Sequence, residues 1–181
     1  MNRKFFRVFL LSILCSMIQF TPTLCANPLC PPALFSVGGG YWDAGIQHSG
    51  GVFELEYKAG RYWYRYFRPQ ASLVIPNFNS LYAAVGLALE LYICEHLVFC
   101  PNFSPGLYYQ GQGRNLGYPL EFRSAVELAY ENINWVRIGV QLFHISNANL
   151  SNTDTNPGAN ALVGYISIPL TSKSCCKHRC Y

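Results

Sequence analysis

Between residues 33 and 170, apolar and polar positions alternate with the two-residue period of a strand, and turn residues interrupt the alternation at short intervals. Eight segments follow, at 33–42, 51–58, 66–75, 80–92, 97–109, 119–131, 134–146 and 160–170. From Leu81 the odd positions Ala83, Val85, Leu87, Leu89 and Leu91 are apolar, whereas Tyr82, Ala84, Gly86, Ala88, Glu90 and Tyr92 are small or polar. Phe122, Val126 and Leu128 oppose Glu121, Arg123 and Glu127 in the same way, and Phe53 and Leu55 oppose Glu54 and Glu56. Eight strands of this length suit the smallest common membrane barrel, with apolar residues outside and polar residues inside. The fold class read from the pattern is all-β, an eight-stranded antiparallel transmembrane β-barrel. Glu54, Glu56, Glu90, Glu127, Arg123 and Arg137 would form its paired interior network, because buried charges are costly without partners. A water-soluble barrel of the lipocalin kind reverses the two faces, and alternation by itself does not choose between them.

Composition favours the membrane. Aromatic residues make up 15% of the chain and charged residues 12%, against about a quarter charged in an ordinary soluble domain. The N-terminus adds an address. Asn2-Arg3-Lys4 and Arg7 precede an apolar run from Val8 to Phe20 and the close Leu24-Cys25-Ala26, the order of a signal peptide. The run is too short for the roughly 20 residues of a membrane-spanning helix, and Leu24 stands where a lipoprotein needs a small residue before Cys25. The chain therefore divides into a signal peptide at 1–26, one barrel domain at 27–170 and a basic, cysteine-rich tail at 171–181.

The formal charge of +4 is carried by the two ends. Residues 27–170 hold seven basic and nine acidic side chains, which excludes a nucleic-acid footprint. Six cysteines lie beyond the signal: Cys30, Cys94, Cys100, Cys175, Cys176 and Cys180. Export permits disulfides. Cys94 and Cys100 could pair across a turn and Cys30 could reach the tail, but connectivity is not readable from spacing.

Candidate chemistry sits in the last hairpin. Ile138, Val140, Leu142, His144 and Ser146 share the apolar face, and Asn160 falls in phase with Leu162, Gly164, Ile166 and Ile168. His144, Ser146 and Asn160 thus meet on an exterior otherwise fit for hydrocarbon, where polar groups are expensive and point to function. A serine hydroxyl becomes a useful nucleophile beside a base, and imidazole is the usual one near neutral pH. Two residues apart on one strand, His144 and Ser146 have Cα atoms about 6.6 Å apart on the same side. With the N-terminus in the periplasm, the site lies at the extracellular end.

Residues 80–170 resemble the PagL-type lipid A 3-O-deacylases. The resemblance is carried by His144-Ile145-Ser146-Asn147-Ala148, Asn156-Pro157-Gly158 and the stretch from Leu116-Gly117 to Glu121-Phe122-Arg123-Ser124. It implies an outer-membrane barrel with an external Ser-His-acid site that removes the ester-linked acyl chain at position 3 of lipid A. Ser146 would be the nucleophile, His144 the general base, Asn147 with nearby backbone amides an oxyanion stabiliser, and Asn156 a support for the loop. No metal or cofactor is implied. The implied partners are lipid A or lipopolysaccharide and membrane lipid, with a homodimer also open, and the implied location is the bacterial outer membrane. The chain departs from the family at one point, where Asn160 replaces a glutamate; Asp154 is the nearest carboxylate in sequence. An amide can orient an imidazole but carries no charge to stabilise its protonated form.

Three functions are consistent with this reading: a lipid A esterase, a noncatalytic barrel with a degenerate site, and a broader phospholipid esterase. His48 and His96 read as solvated turn residues with no partner at ligand spacing. Cys175-Cys176-Lys177-His178-Arg179-Cys180 reads as disulfide chemistry before metal chemistry. Gly38-Gly39-Gly40 lacks the lysine and helix of a phosphate loop and reads as a place where another backbone or a bulky interior side chain needs room.

Overall fold

The computed structural model describes residues 31–43, 49–64, 66–77, 79–150 and 157–170. The signal peptide, His48, the loop residues Asp154 and Asn156, Cys30 and the tail lie outside the described residues. Nine strand segments are present: β1 (Leu34–Trp42), β2 (Gly50–Lys58), β3 (Phe67–Pro76), β4 (Leu81–Leu89), β5 (Leu91–Cys94), β6 (Leu97–Tyr109), β7 (Leu120–Glu131), β8 (Arg137–Ser146) and β9 (Ala159–Pro169). All neighbours pair antiparallel, β1 pairs with β9, and β4 pairs with β6 to close the sheet.

β4 and β5 are two halves of one barrel stave. Leu87 pairs with Phe103 and Leu91 with Phe99 in one unbroken register, while Pro101 and Pro105 of β6 pair only toward β7. Proline has no N–H to give a ladder, so the β4 side of β6 loses pairing at both prolines. Eight staves therefore close the expected all-β barrel. The seventh expected strand starts three residues late, because Asn132 ties off a turn. Its N–H donates to the Val136 carbonyl at 3.0 Å and its Oδ1 accepts from the Asn134 and Val136 N–H groups.

The faces follow the alternation. Val85, Val126, Leu128, Ile138, Val140, Leu142, Leu162 and Ile166 are exposed, whereas Glu54, Glu56, Glu90, Arg123, Glu127 and Arg137 are buried within the barrel. A water-soluble barrel has the opposite arrangement. The interior network also recruits Lys58, Arg68 and Glu131. Lys58 Nζ lies 2.7 Å from both Glu56 Oε1 and Glu127 Oε2. Arg123 Nη2 donates to Glu54 Oε1 at 2.5 Å. Nearer the opposite end, Glu90 Oε1 accepts from Arg68 Nη1 at 2.9 Å and Arg137 Nη1 at 2.6 Å, while Arg137 Nε donates to Glu131 at 2.6 Å. Tyr62 donates to Glu90 Oε2 at 3.0 Å from the β2–β3 connection, and burial there, with Glu90 beside it, pushes its phenol up.

Beyond Arg123, whose guanidinium carbon lies 4.5 Å from the centre of the Phe143 ring, the interior is mostly apolar, with the buried Glu121 and Asp43 set among it. Trp42, Val52, Val74, Leu116, Phe143, Ile145, Ala159 and Val163 fill the end at which β1 finishes. The glycine run in β1 reflects this crowding. A Cβ on Gly38 would stand 2.7 Å from Val163 Cγ1, and one on Gly40 would strike the Leu162 carbonyl.

One cysteine expectation is corrected. Cys94 and Cys100 are both free, and they cannot bridge the turn because Cys94 is exposed whereas Cys100 is buried inside the barrel.

Candidate active site

β8 carries both reacting candidates outward at the apolar-filled end. Its register with β9 sets His144 against Asn160, and its register with β7 sets His144 against Ser124 and Ser146 against Phe122. His144 and Asn160 are exposed on the outer wall and Ser146 is half-buried. The imidazole Nδ1 is 2.9 Å from Asn160 Oδ1. An amide oxygen only accepts, so this contact places the proton on Nδ1 and leaves Nε2 as the free acceptor of the ring. No hydrogen bond joins His144 to Ser146 among the described residues, as is common before a substrate draws catalytic groups together. Ser124, exposed on the same face and the β7 register partner of His144, is a second hydroxyl that sequence reasoning gave no role, although its phase with Val126 and Leu128 was visible.

Ser146 ends the strand. Asn147 turns inward and is fully buried, its Nδ2 donating to the Leu116 carbonyl at 2.8 Å and its Oδ1 accepting from the Asn149 N–H at 2.9 Å. Its side chain thus ties the β8 exit to the β6–β7 connection. Ala148 and Asn149 follow with left-handed backbone, φ 53° and 60°. Within this turn the Asn149 N–H is held by Asn147 Oδ1 and the Leu150 N–H by the Asn147 carbonyl at 3.0 Å.

The chain re-enters at Pro157-Gly158. Gly158 has φ +57°, and a Cβ there would lie 2.6 Å from His144 Cε1 and 3.0 Å from Nε2. Glycine is required twice, by the backbone hand and by the ring against it. Asp154 and Asn156 fall outside the described residues, so the structure brings together Ser146, His144, Asn160 and the Asn147 turn. His96 is not simply solvated: its Nδ1 is 2.9 Å from the Glu131 carbonyl and its ring lies 5.4 Å from that of Tyr130.

Comparisons with known proteins bear on this geometry. The crystal structure of the outer membrane enzyme PagL superposes with a TM-score of 0.59 at 19% sequence identity, over 76% of this chain and 99% of that one; at that identity the likeness is one of fold. No curated protein sequence matches the chain. The model of the family described as lipid A 3-O-deacylase (PagL) matches residues 35–169, a span that runs through every strand and includes His144, Ser146 and Asn160. The chain belongs to the lipid A 3-O-deacylase (PagL) family.

Proposed function

We propose that this protein is a lipid A 3-O-deacylase of the bacterial outer membrane, acting from the outer wall of its barrel without metal or cofactor. The observation that carries the reading is the His144–Asn160 hydrogen bond beside Ser146 on a wall that, apart from these groups and Ser124, is mostly apolar. The exposed band of Val, Leu and Ile suits hydrocarbon, and the end bearing Ser146 faces the leaflet that holds lipopolysaccharide. There the ester of lipid A reaches Ser146 laterally from the lipid phase.

In the first step His144 Nε2 takes the Ser146 proton as Oγ attacks the ester carbonyl carbon. Backbone N–H groups of the turn at Ala148 stabilise the oxyanion. Collapse breaks the bond to the sugar oxygen, and the imidazolium returns its proton to that oxygen. Water then attacks the acyl-serine, His144 takes its proton, and the fatty acid leaves as Ser146 is restored. Asn160 holds the ring in the productive tautomer, as the third residue of a triad does.

The amide at Asn160 also favours a second reading, a noncatalytic barrel. It cannot offset the charge of the imidazolium, and the corresponding Asp→Asn change in a serine protease costs about 10⁴ in turnover.

Purified protein incubated in micelles with lipid A, and separately with phospholipid, distinguishes these readings. The proposal expects release of one hydroxy fatty acid from lipid A, its loss in Ser146→Ala and His144→Ala, and its retention in Ser124→Ala. Equal release from phospholipid indicates a broader esterase, and no release from either supports the noncatalytic barrel.

A further inference from the structure

The start of β9 is braced from elements that take no part in the chemistry above. β1 ends at Trp42, yet its pairing with β9 extends one residue further, the Asp43 N–H donating to the Asn160 carbonyl at 2.7 Å. Asp43 adopts left-handed backbone, φ 56°, and is almost wholly buried. Its Oδ2 accepts from Arg114 Nη1. Arg114 comes from the β6–β7 connection, where its own carbonyl accepts from the Tyr108 hydroxyl at 2.9 Å. Its Nη2 donates to the Pro157 carbonyl at 3.4 Å. One guanidinium thereby joins three chain segments at the same end of the barrel, and Pro157 leads directly into Gly158, the residue packed on the His144 ring.

We propose that Asp43 and Arg114 are positioning residues for His144, their ion pair holding Pro157 and Gly158 against the imidazole so that it keeps its bond to Asn160. The inference rests on the acyl-hydrolase reading of the site. The physical need arises from Asn160: a neutral acceptor grips an imidazole N–H less firmly than a carboxylate does, so packing on the other side of the ring carries more of the orientation. The pair is suited to that work. Asp43 is 1% and Arg114 16% exposed at the side chain, and partly buried pairs are little screened by salt.

The test uses the full barrel in detergent micelles with ¹⁵N-labelled histidine, the His144 signals being assigned from His144→Gln. It compares wild type with Arg114→Met, Asp43→Asn and Arg114→Lys. The ring signals are read together with kcat and KM on a lipid A 3-O-acyl ester. The expected result is displaced His144 ring signals in Arg114→Met and Asp43→Asn, with kcat lowered by about 10-fold or more, since a misplacement of about 1 Å can cost 10². KM and the thermal midpoint stay near wild type, and Arg114→Lys, which keeps the charge, recovers most of kcat. Ring signals unchanged in Arg114→Met overturn the positioning role whatever the activity. If that variant does not fold, Asp43→Asn decides by the same signals. Displaced signals with no hydrolysis by wild type overturn the acyl-hydrolase reading and leave the positioning role standing.

Discussion

The resemblance implies a carboxylate where this chain has the amide of Asn160, and the register shows what the amide retains. Asn160 faces His144 directly across the β8–β9 ladder and binds Nδ1, so orientation survives while charge does not. Gly158 is the other residue on which the ring depends. Gly158→Ala would force a methyl group to within 2.6 Å of His144 Cε1 and strain a left-handed backbone. The expected outcome is a fall in kcat of about 10² with little change in KM, checked by steady-state hydrolysis of a lipid A ester. At this scale the sequence was partly legible. Period-two counting placed His144, Ser146 and Asn160 on one outer face, and the same counting sends Asn147 inward, which adjacency to Ser146 conceals. The Asp43–Arg114 pair was not legible, because it forms only when β1, the β6–β7 connection and the β8–β9 loop are brought together by closure of the barrel.

Strands here are two-faced elements whose outward positions, among the described residues, carry no Asp, Glu, Lys or Arg. Leu142 lies on the outside of β8, one rung from His144, and pairs with Leu162. Leu142→Arg is expected to cost about 2–4 kcal/mol if the residue sits near the bilayer midplane and less toward the interface; equilibrium folding into lipid vesicles measures it. The same substitution would cost almost nothing if this wall faced water. Strand number and facing were readable from alternation because the interior is polar and the exterior apolar along nearly every stave. Boundaries were less so. The interruption between β4 and β5 has its cause in Pro101 of the neighbouring strand, opposite the end of β4, and the late start of β8 in the Asn132 turn, neither of which the strand's own residues announce.

Across the whole molecule the interior is divided, with most of its ion pairs toward the end where β1 begins and mostly apolar side chains, joined by Glu121 and the Asp43–Arg114 pair, where it finishes beneath the site. That division leaves a solid stave-and-core body on whose outer wall a rigid site can be built, since sites on strands hold their geometry better than sites on loops. Glu127 gathers Lys58, Asn102 and Tyr165, so Glu127→Ala removes one of the two carboxylates that hold the buried Lys58 ammonium, leaving Glu56 as the other. A loss of about 3–5 kcal/mol is expected on breaking such a pair, read from urea unfolding in micelles, whereas the double change Lys58→Met with Glu127→Leu should restore much of it. The charged interior was foreseen in outline, but Lys58, Arg68 and Glu131 emerged only from the closed barrel, which sets partners from non-adjacent strands face to face.

The wall bearing Ser146 and His144 is proposed to remove the 3-O-acyl chain of lipid A. Mass spectrometry of lipid A from cells expressing wild type, Ser146→Ala and Asn160→Glu tests it most directly. The expected result is loss of the mass of one hydroxyacyl group with wild type, no loss with Ser146→Ala, and a larger converted fraction with Asn160→Glu. Intact lipid A with wild type and with Asn160→Glu would contradict it.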